Sequence, residues 1–164
     1  MTVRRLGPED LEAFRSIRLE ALRLEPENYA SHYDDWVSLS DDQWRARLDD
    51  VIAVAAFDTD QPIGVMAVKQ ERSPKMRHRG MLVMVYLRKS YRGAGIAREI
   101  LDHLGRHSIA EGMLQLELHV NAANRTAIRF YEKAGFETIG KLPRAAREGD
   151  DFIDDLLMVK PLDT

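Results

Sequence analysis

The order of apolar periods along the chain predicts an α+β protein, a mixed α/β sheet covered by helices. Three observations carry that expectation. The strand-like runs Val51–Phe57 and Ile63–Gln70 are separated only by the turn residues Asp58–Pro62, which makes a hairpin. The apolar run Gly80–Leu87 (GMLVMVYL) connects to the alternating run Leu114–Val120 (LQLELHV) through a whole helical period. That link is long enough for a crossover, so the two strands are expected to be parallel neighbours. The full order reads β α α β β β α β α β β.

Each element has its own signal. Thr2–Leu6 is a short strand. Gly7-Pro8-Glu9-Asp10 starts a helix, with proline near the first position and acids in the first turn. Leu11, Phe14, Ile17, Ala21 and Leu24 recur at helical spacing until Pro26 stops the helix. Residues 27–39 place Tyr29, Tyr33 and Trp36 among polar residues and read as a loop. Ser40-Asp41-Asp42-Gln43 fits a capping box and opens a second helix through Asp49. After the hairpin, residues 71–79 are a polar, basic loop. Gly80–Leu87 is apolar without interruption, as a strand buried on both faces would be. A third helix carries Ile96, Ile100, Leu104 and Ser108 on one face and ends at Gly112. A fourth follows Asn121–Arg125, with Ala127, Ile128 and Tyr131 on one face and Gly135 where a C′ glycine belongs. Phe136–Leu142 and Phe152–Val159 are two closing strands.

At 164 residues, with 45% hydrophobic and 31% charged, the chain has the length and composition of one domain, 1–164, with a real core. It has no cysteine, so disulfides, thiolate metal sites and a cysteine nucleophile are excluded. That composition fits a reducing, cytoplasmic compartment. A net charge of -3 argues against a nucleic-acid partner. No apolar run approaches the roughly 18 residues that span a bilayer, and the N-terminus lacks the apolar stretch of a signal peptide, so no membrane partner is expected. A homodimer is left open.

The most informative segment is Arg92-Gly93-Ala94-Gly95-Ile96-Ala97, which follows an apolar strand and runs into a helix. A helix N-terminus offers free N–H groups and partial positive charge, and glycine lets a ligand approach the backbone. Arg88, Lys89 and Arg92 add positive charge around it. The dinucleotide pattern is incomplete, because Arg98 stands at its third glycine, and no Gly-Lys-Ser/Thr of a P-loop occurs. On the loop alone, a plain glycine turn flanked by solvated arginines fits as well.

The stretch Leu87–Ala97 resembles the acyl-CoA loop of the GNAT acetyltransferase superfamily, R/Q-x-x-G-x-G/A, with Arg92, Gly95 and Ala97 at the defined positions. Asn124-Arg-Thr-Ala-Ile-Arg-Phe-Tyr-Glu-Lys-Ala-Gly-Phe136 resembles the family's second signature, N-x-x-A-x-x-x-Y-x-x-x-G-F, at every defined position. The resemblance implies the GNAT acyl-CoA N-acyltransferase fold, with about seven strands and four helices. In that fold the strands at 80–87 and 114–120 splay apart. It further implies acetyl transfer from acetyl-CoA, used as acyl donor without a metal, to a primary amine by direct attack. A small molecule such as an amino acid or polyamine is the favoured acceptor. A protein N-terminus or lysine is the alternative, and a non-catalytic acyl-CoA-sensing module is an alternative of another class.

Residue by residue, the resemblance implies that Arg92, Gly93, Ala94, Gly95, Ile96 and Ala97 hold the diphosphate. The backbone of Val85, Tyr86 and Leu87 would pair with pantetheine, and Asn124 would cap its helix and reach the same arm. Tyr131 is carried over as general acid for the departing thiolate; a phenol is protonated at neutral pH, its ordinary pKa being roughly 10. In the ribosomal-protein alanine acetyltransferases, which this stretch resembles, a glutamate lies twelve positions before that tyrosine; here the position is His119. A histidine can take the amine's proton near neutral pH. Alternation puts Glu117 on the same face as a second base, and Glu71 is a third. Tyr29, Tyr33 and Trp36 fall where the family binds its amine, and Glu148, Asp150, Asp151, Asp154 and Asp155 cluster near the end of the chain. Aromatic faces and carboxylates suit a cationic amine; a solvated acidic turn is the plainer reading of the cluster.

Overall fold

In the computed structural model, which describes Met1–Thr164, seven strands form one sheet in the order β1-β2-β3-β4-β5-β7-β6. The strands are β1 (Thr2–Arg5), β2 (Ile52–Asp58), β3 (Gln61–Gln70), β4 (Arg79–Leu87), β5 (Gln115–Asn121), β6 (Glu137–Glu148) and β7 (Asp151–Pro161). The helices are α1 (Leu11–Leu24), α2 (Tyr33–Val37), α3 (Asp41–Asp49), α4 (Ile96–Ala110) and α5 (Arg125–Lys133). No helix is long and apolar enough to cross a membrane.

The sheet is covered on both faces. One core joins β2–β5 to α4 and α5 through residues such as Ile100, Leu104, Leu116 and Phe136. The other joins α1–α3 to the opposite face through Phe14, Ile17, Trp44 and Val65. Alternation along β2 explains the division: Val54 and Ala56 enter the first core, Ala53 and Ala55 the second. The capping box forms as the sequence predicts, Ser40 Oγ accepting from the Gln43 amide at 3.2 Å and Gln43 Oε1 from the Ser40 amide at 2.9 Å.

Every neighbouring pair is antiparallel except β4 and β5. These two run parallel, and their pairing stops after three positions, Arg79–Met81 against Gln115–Glu117. Beyond Met81 they fork. A bulge against β3 lies just past the fork, where Met84 takes a φ of 56°. Left-handed backbone at a non-glycine residue costs about 1–2 kcal/mol and is held here by pairing on both sides, Val83 with Ala67 and Tyr86 with Val65.

Three expectations need correction. Residues 27–39 are not all loop: α2 is a fifth helix, too short to show a period, and it lays Trp36 at 5.3 Å from Trp44. The strand at 80–87 is not buried on both faces, because Val83, Met84 and Val85 border the fork and stay half-buried. The strand expected at 136–142 runs to Glu148, although Lys141, Pro143 and Arg144 interrupt any alternation. It is an edge strand, and backbone pairing to β7, with irregular register at 142–146, holds it there.

Candidate active site

The fork opens into a cleft of about 1430 Å³. Its floor is the free part of β4. Gly93, Gly95 and Ala97 border it at one end, and Asn124 and Tyr131 of the α5 segment at its side.

Gly93 and Gly95 have φ values of 84° and 85°, and Gly95 is the N-cap of α4. None of the amides from Gly93 to Arg98 donates within the chain. A Cβ added at either glycine would meet nothing within 4 Å, so the amides look into open space. Such a turn of free N–H groups at a helix start is an anion site. Ala94 and Ile96 supply backbone only, and the Ile96 side chain belongs to the core.

The arginines around the loop are not free phosphate clamps. Arg92 Nε donates to the Leu87 carbonyl at 2.7 Å, and its Nη2 pairs with Glu25 at 2.6 Å. Arg88 pairs with Glu20 through two bonds of 2.8 Å, and Tyr86 donates to the same carboxylate at 2.9 Å. Those bonds, Arg88's first, hold the Glu20 carboxyl below its usual range. Burial and the neighbouring Glu20 push the Tyr86 phenol up to about 12. The motif arginine therefore positions the loop against β4, and backbone amides are left to meet an anion. Glu20 and Glu25 had no signal in the sequence, since a partly buried acid on an amphipathic helix looks like any other surface acid.

The free edge of β4 is partly occupied by side chains. Val85 O accepts from the Tyr29 hydroxyl at 2.7 Å, and Leu87 O from Arg92. Tyr29 thus ties the segment after α1 to the strand beside the bulge. Burial above all, with Glu25 nearby, raises its phenol well above the ordinary value.

Asn124 Oδ1 accepts from the Ala127 amide at 3.1 Å and caps α5. That helix carries Tyr131, buried between the rings of Phe130 and Phe136 at 5.5 and 5.6 Å. Burial alone raises its phenol, so it stays protonated across the physiological range. On β5, His119 is exposed to the cleft, with Nδ1 3.9 Å from Asp155 Oδ2 on β7. Burial lifts the Asp155 carboxyl above its usual range, His119 opposing the shift.

Other candidate residues stand apart. Glu117 is gripped by Arg79 at 2.5 and 2.7 Å and by Gln115 at 2.7 Å, at the closed end of the fork. Those contacts lower its carboxyl, and it does not border the cleft. Glu71 lies beyond the same end, its amide donating to Arg79 O at 3.0 Å. Tyr33 heads α2 away from the cleft. Trp36 borders it, but the Arg18 and Arg47 guanidiniums already lie over its ring at 4.5 and 4.3 Å. The aromatic face expected to take a cationic amine is thus covered by two cations of the chain itself. In the terminal cluster Asp154 pairs with Lys141 and caps the Arg144 amide, leaving only Asp155 on the cleft wall.

A model of the GNAT acetyltransferase family matches residues 12–136, most of the chain and both motifs. The chain belongs to the GNAT acetyltransferase family. This GNAT enzyme is 26% identical over 153 residues to the N-alpha-acetyltransferase daf-31 of Caenorhabditis elegans, covering 92% of the chain and 79% of that relative. It is 33% identical over 100 residues to N-alpha-acetyltransferase 30 of Schizosaccharomyces pombe, which takes in 58% of the chain and 64% of the relative. Among solved structures, a GNAT family acetyltransferase from Streptococcus pneumoniae superposes with a TM-score of 0.85 at 26% identity, over 98% of both chains. The fold of yncA from Salmonella typhimurium, solved with acetyl-CoA, superposes with a TM-score of 0.84 at 19% identity, over 100% of this chain and 95% of that one. The enzyme is an acetyl-CoA-dependent N-acetyltransferase.

Proposed function

We propose that this GNAT enzyme acetylates the primary amine of a small molecule, acting as a single cytoplasmic domain through direct attack in a ternary complex. The observation that carries the reading is the run of undonated amides from Gly93 to Arg98 opening into the same cleft as Tyr131 and His119. The amides take the diphosphate. The free β4 edge at Val85–Leu87 receives the pantetheine arm, and Asn124 borders it. The amine nitrogen attacks the thioester carbonyl carbon, the C–S bond breaks, and an amide and a thiolate result. Tyr131 gives its phenolic proton to the sulfur and recovers one from solvent. His119, steadied by Asp155, accepts the proton lost by the amine. Glu117 is given no role as base in this reading, because it is paired with Arg79 and does not border the cleft.

A small acceptor is supported by the extent of the cleft wall, to which Ala146 and Ile153 of the β6–β7 hairpin contribute beside residues of the α1–α2 segment. The sequence Asp154–Lys160 also resembles the closing strand common among small-molecule members of the family. A protein N-terminus is the second reading, favoured by the N-alpha-acetyltransferase that aligns with 92% of the chain.

The test is acetyl transfer measured over a panel of small amines and short peptides, for wild type and Tyr131→Phe. General acid catalysis is worth about 10²–10⁴-fold. Tyr131→Phe should therefore lose at least tenfold in kcat, with acetyl-CoA affinity by calorimetry unchanged. Full activity in the variant would remove Tyr131 from the mechanism, and activity confined to peptides would select the second reading.

A further inference from the structure

Arg18, on α1, is 4% exposed and borders the cleft. Its Nε and Nη1 are sealed from solvent and donate to nothing. Other arginines nearby have a carboxylate: Arg15 has Asp41, Arg88 has Glu20, Arg92 has Glu25. Arg18 has none. Burial, with Arg47 adding to it, pushes the guanidinium down to about 10, which still leaves it charged at neutral pH. The rings of Tyr29 and Trp36, at 5.1 and 4.5 Å, hold the cation but accept none of its N–H bonds. Arg47 lies over the same Trp36 ring and borders the same cleft. An unpaired buried charge is costly unless something completes it. Neither guanidinium makes an ion pair within the chain: of the acids on the same cleft, Glu25 is held by Arg92, Asp50 by Lys69 and Arg72, Asp155 lies beside His119, and Glu27 is exposed to solvent. Tyr29, in contact with Arg18, bonds to Val85 on the free strand edge, so this basic corner adjoins the place where the acyl arm would lie.

We propose that Arg18, with Arg47 beside it, forms a carboxylate subsite, and that the acceptor is an amine that also bears a carboxylate. The assignment rests on the acceptor binding in this cleft, as proposed above. A carboxylate would take the guanidinium's open nitrogen, Nη2, and offset one of the corner's two positive charges. The same positive field disfavours a protonated amine beside it, which helps the amine reach the neutral form that attacks. A free amino acid supplies the carboxylate at its α-carbon; an acidic side chain next to a peptide N-terminus would supply the same group.

The experiment compares kcat/KM for matched acceptors at saturating acetyl-CoA: free amino acids, their carboxamides, their decarboxylated amines, and peptides with Glu or Gln following the N-terminal residue. Wild type should favour the carboxylate member of a pair by at least tenfold. A preference among amino acids assigns the subsite to an α-carboxylate, and one confined to the Glu peptides assigns it to a side chain. Arg18→Met should erase the preference by losing rate on the carboxylate member alone, with acetyl-CoA affinity by calorimetry unchanged. An apolar side chain in place of an unpaired buried charge should fold at least as well. Should it not, Arg47→Gln, at an exposed position, should cut the preference several-fold. Equal use of both members by wild type would overturn the proposal. So would equal losses on both members in the variants, or weakened acetyl-CoA binding in Arg18→Met. If no amine is acetylated although acetyl-CoA binds, N-acetyl amino acids are titrated into the CoA-saturated protein, and failure to bind overturns the proposal. A protein that does not bind acetyl-CoA at all would instead strike at the acetyl-transfer reading itself.

Discussion

Two protons must move for acetyl transfer, one off the amine and one onto the sulfur, and the fold treats the two residues assigned to them differently. Tyr131 is enclosed by Phe130 and Phe136, and its burial keeps the phenol protonated. His119 stands at the cleft surface with only Asp155 near it. An exposed group can trade protons with water, as a base that must reset every turnover needs to. If His119 is that base, activity should rise with pH along a limb that His119→Ala removes or displaces, and kcat/KM should drop. Profiles recorded with two acceptors of different basicity check this. A limb that follows the acceptor and ignores the residue at 119 would leave the proton to the substrate and water. Both residues were picked out in the sequence as candidates, Tyr131 by its motif and His119 by its spacing from it, and both border the cleft. Arg18 was not. On α1 it reads as one more polar residue between apolar ones, and its burial depends on Trp36 and Tyr29, which belong to a segment without a period.

At the scale of elements, two devices make the cleft: the fork between β4 and β5, and the loop into α4. The fork's parallel pairing was legible, because the link between the two strands holds a whole helix and is long enough for a crossover. Its early end was not, because it depends on the Met84 bulge, and no residue type there demands a φ of 56°. The loop was legible because its chemistry is carried by glycines. Gly95 combines a φ of 85° with amides that donate to nothing around it. Gly95→Glu adds strain of about 1 kcal/mol from the left-handed backbone and sets a carboxylate against incoming phosphate oxygens. The open space at its Cβ means the fold should survive. Acetyl-CoA affinity should fall at least tenfold, about 1.4 kcal/mol, when measured by calorimetry. Unchanged affinity would place the diphosphate elsewhere.

Across the whole molecule, carboxylates held by arginines join one element to another: Glu117 to Arg79 across the closed end of the fork, Glu20 to Arg88 between α1 and the loop after β4, and Asp10, just before α1, to Arg4 of β1. In all three the carboxyl is depressed, the arginine hydrogen bond being the leading cause. A carboxyl with a folded pKa below its unfolded one contributes stability above the unfolded value, and that contribution is lost as pH falls through the folded value. For Glu117 the unfolded reference is 4.5. The melting temperature should therefore hold near neutral pH and decline with acid below that value, as the three pairs are protonated. Glu117 isolates one of them. Its partner is partly solvated, which limits the gain from the pair, but the carboxylate itself lies where the only parallel pairing of the sheet ends. Glu117→Gln should lower the melting temperature by a few degrees at neutral pH. The gap to wild type should shrink as both are acidified and close once Glu117 is protonated in the native wild type. Because Glu117 does not border the cleft, kcat should survive the substitution under conditions where the variant is folded. Melting curves for both proteins across a pH series decide the matter. A gap that stays constant into acid would mean that shape and packing of the side chain, not its charge, hold the fork closed.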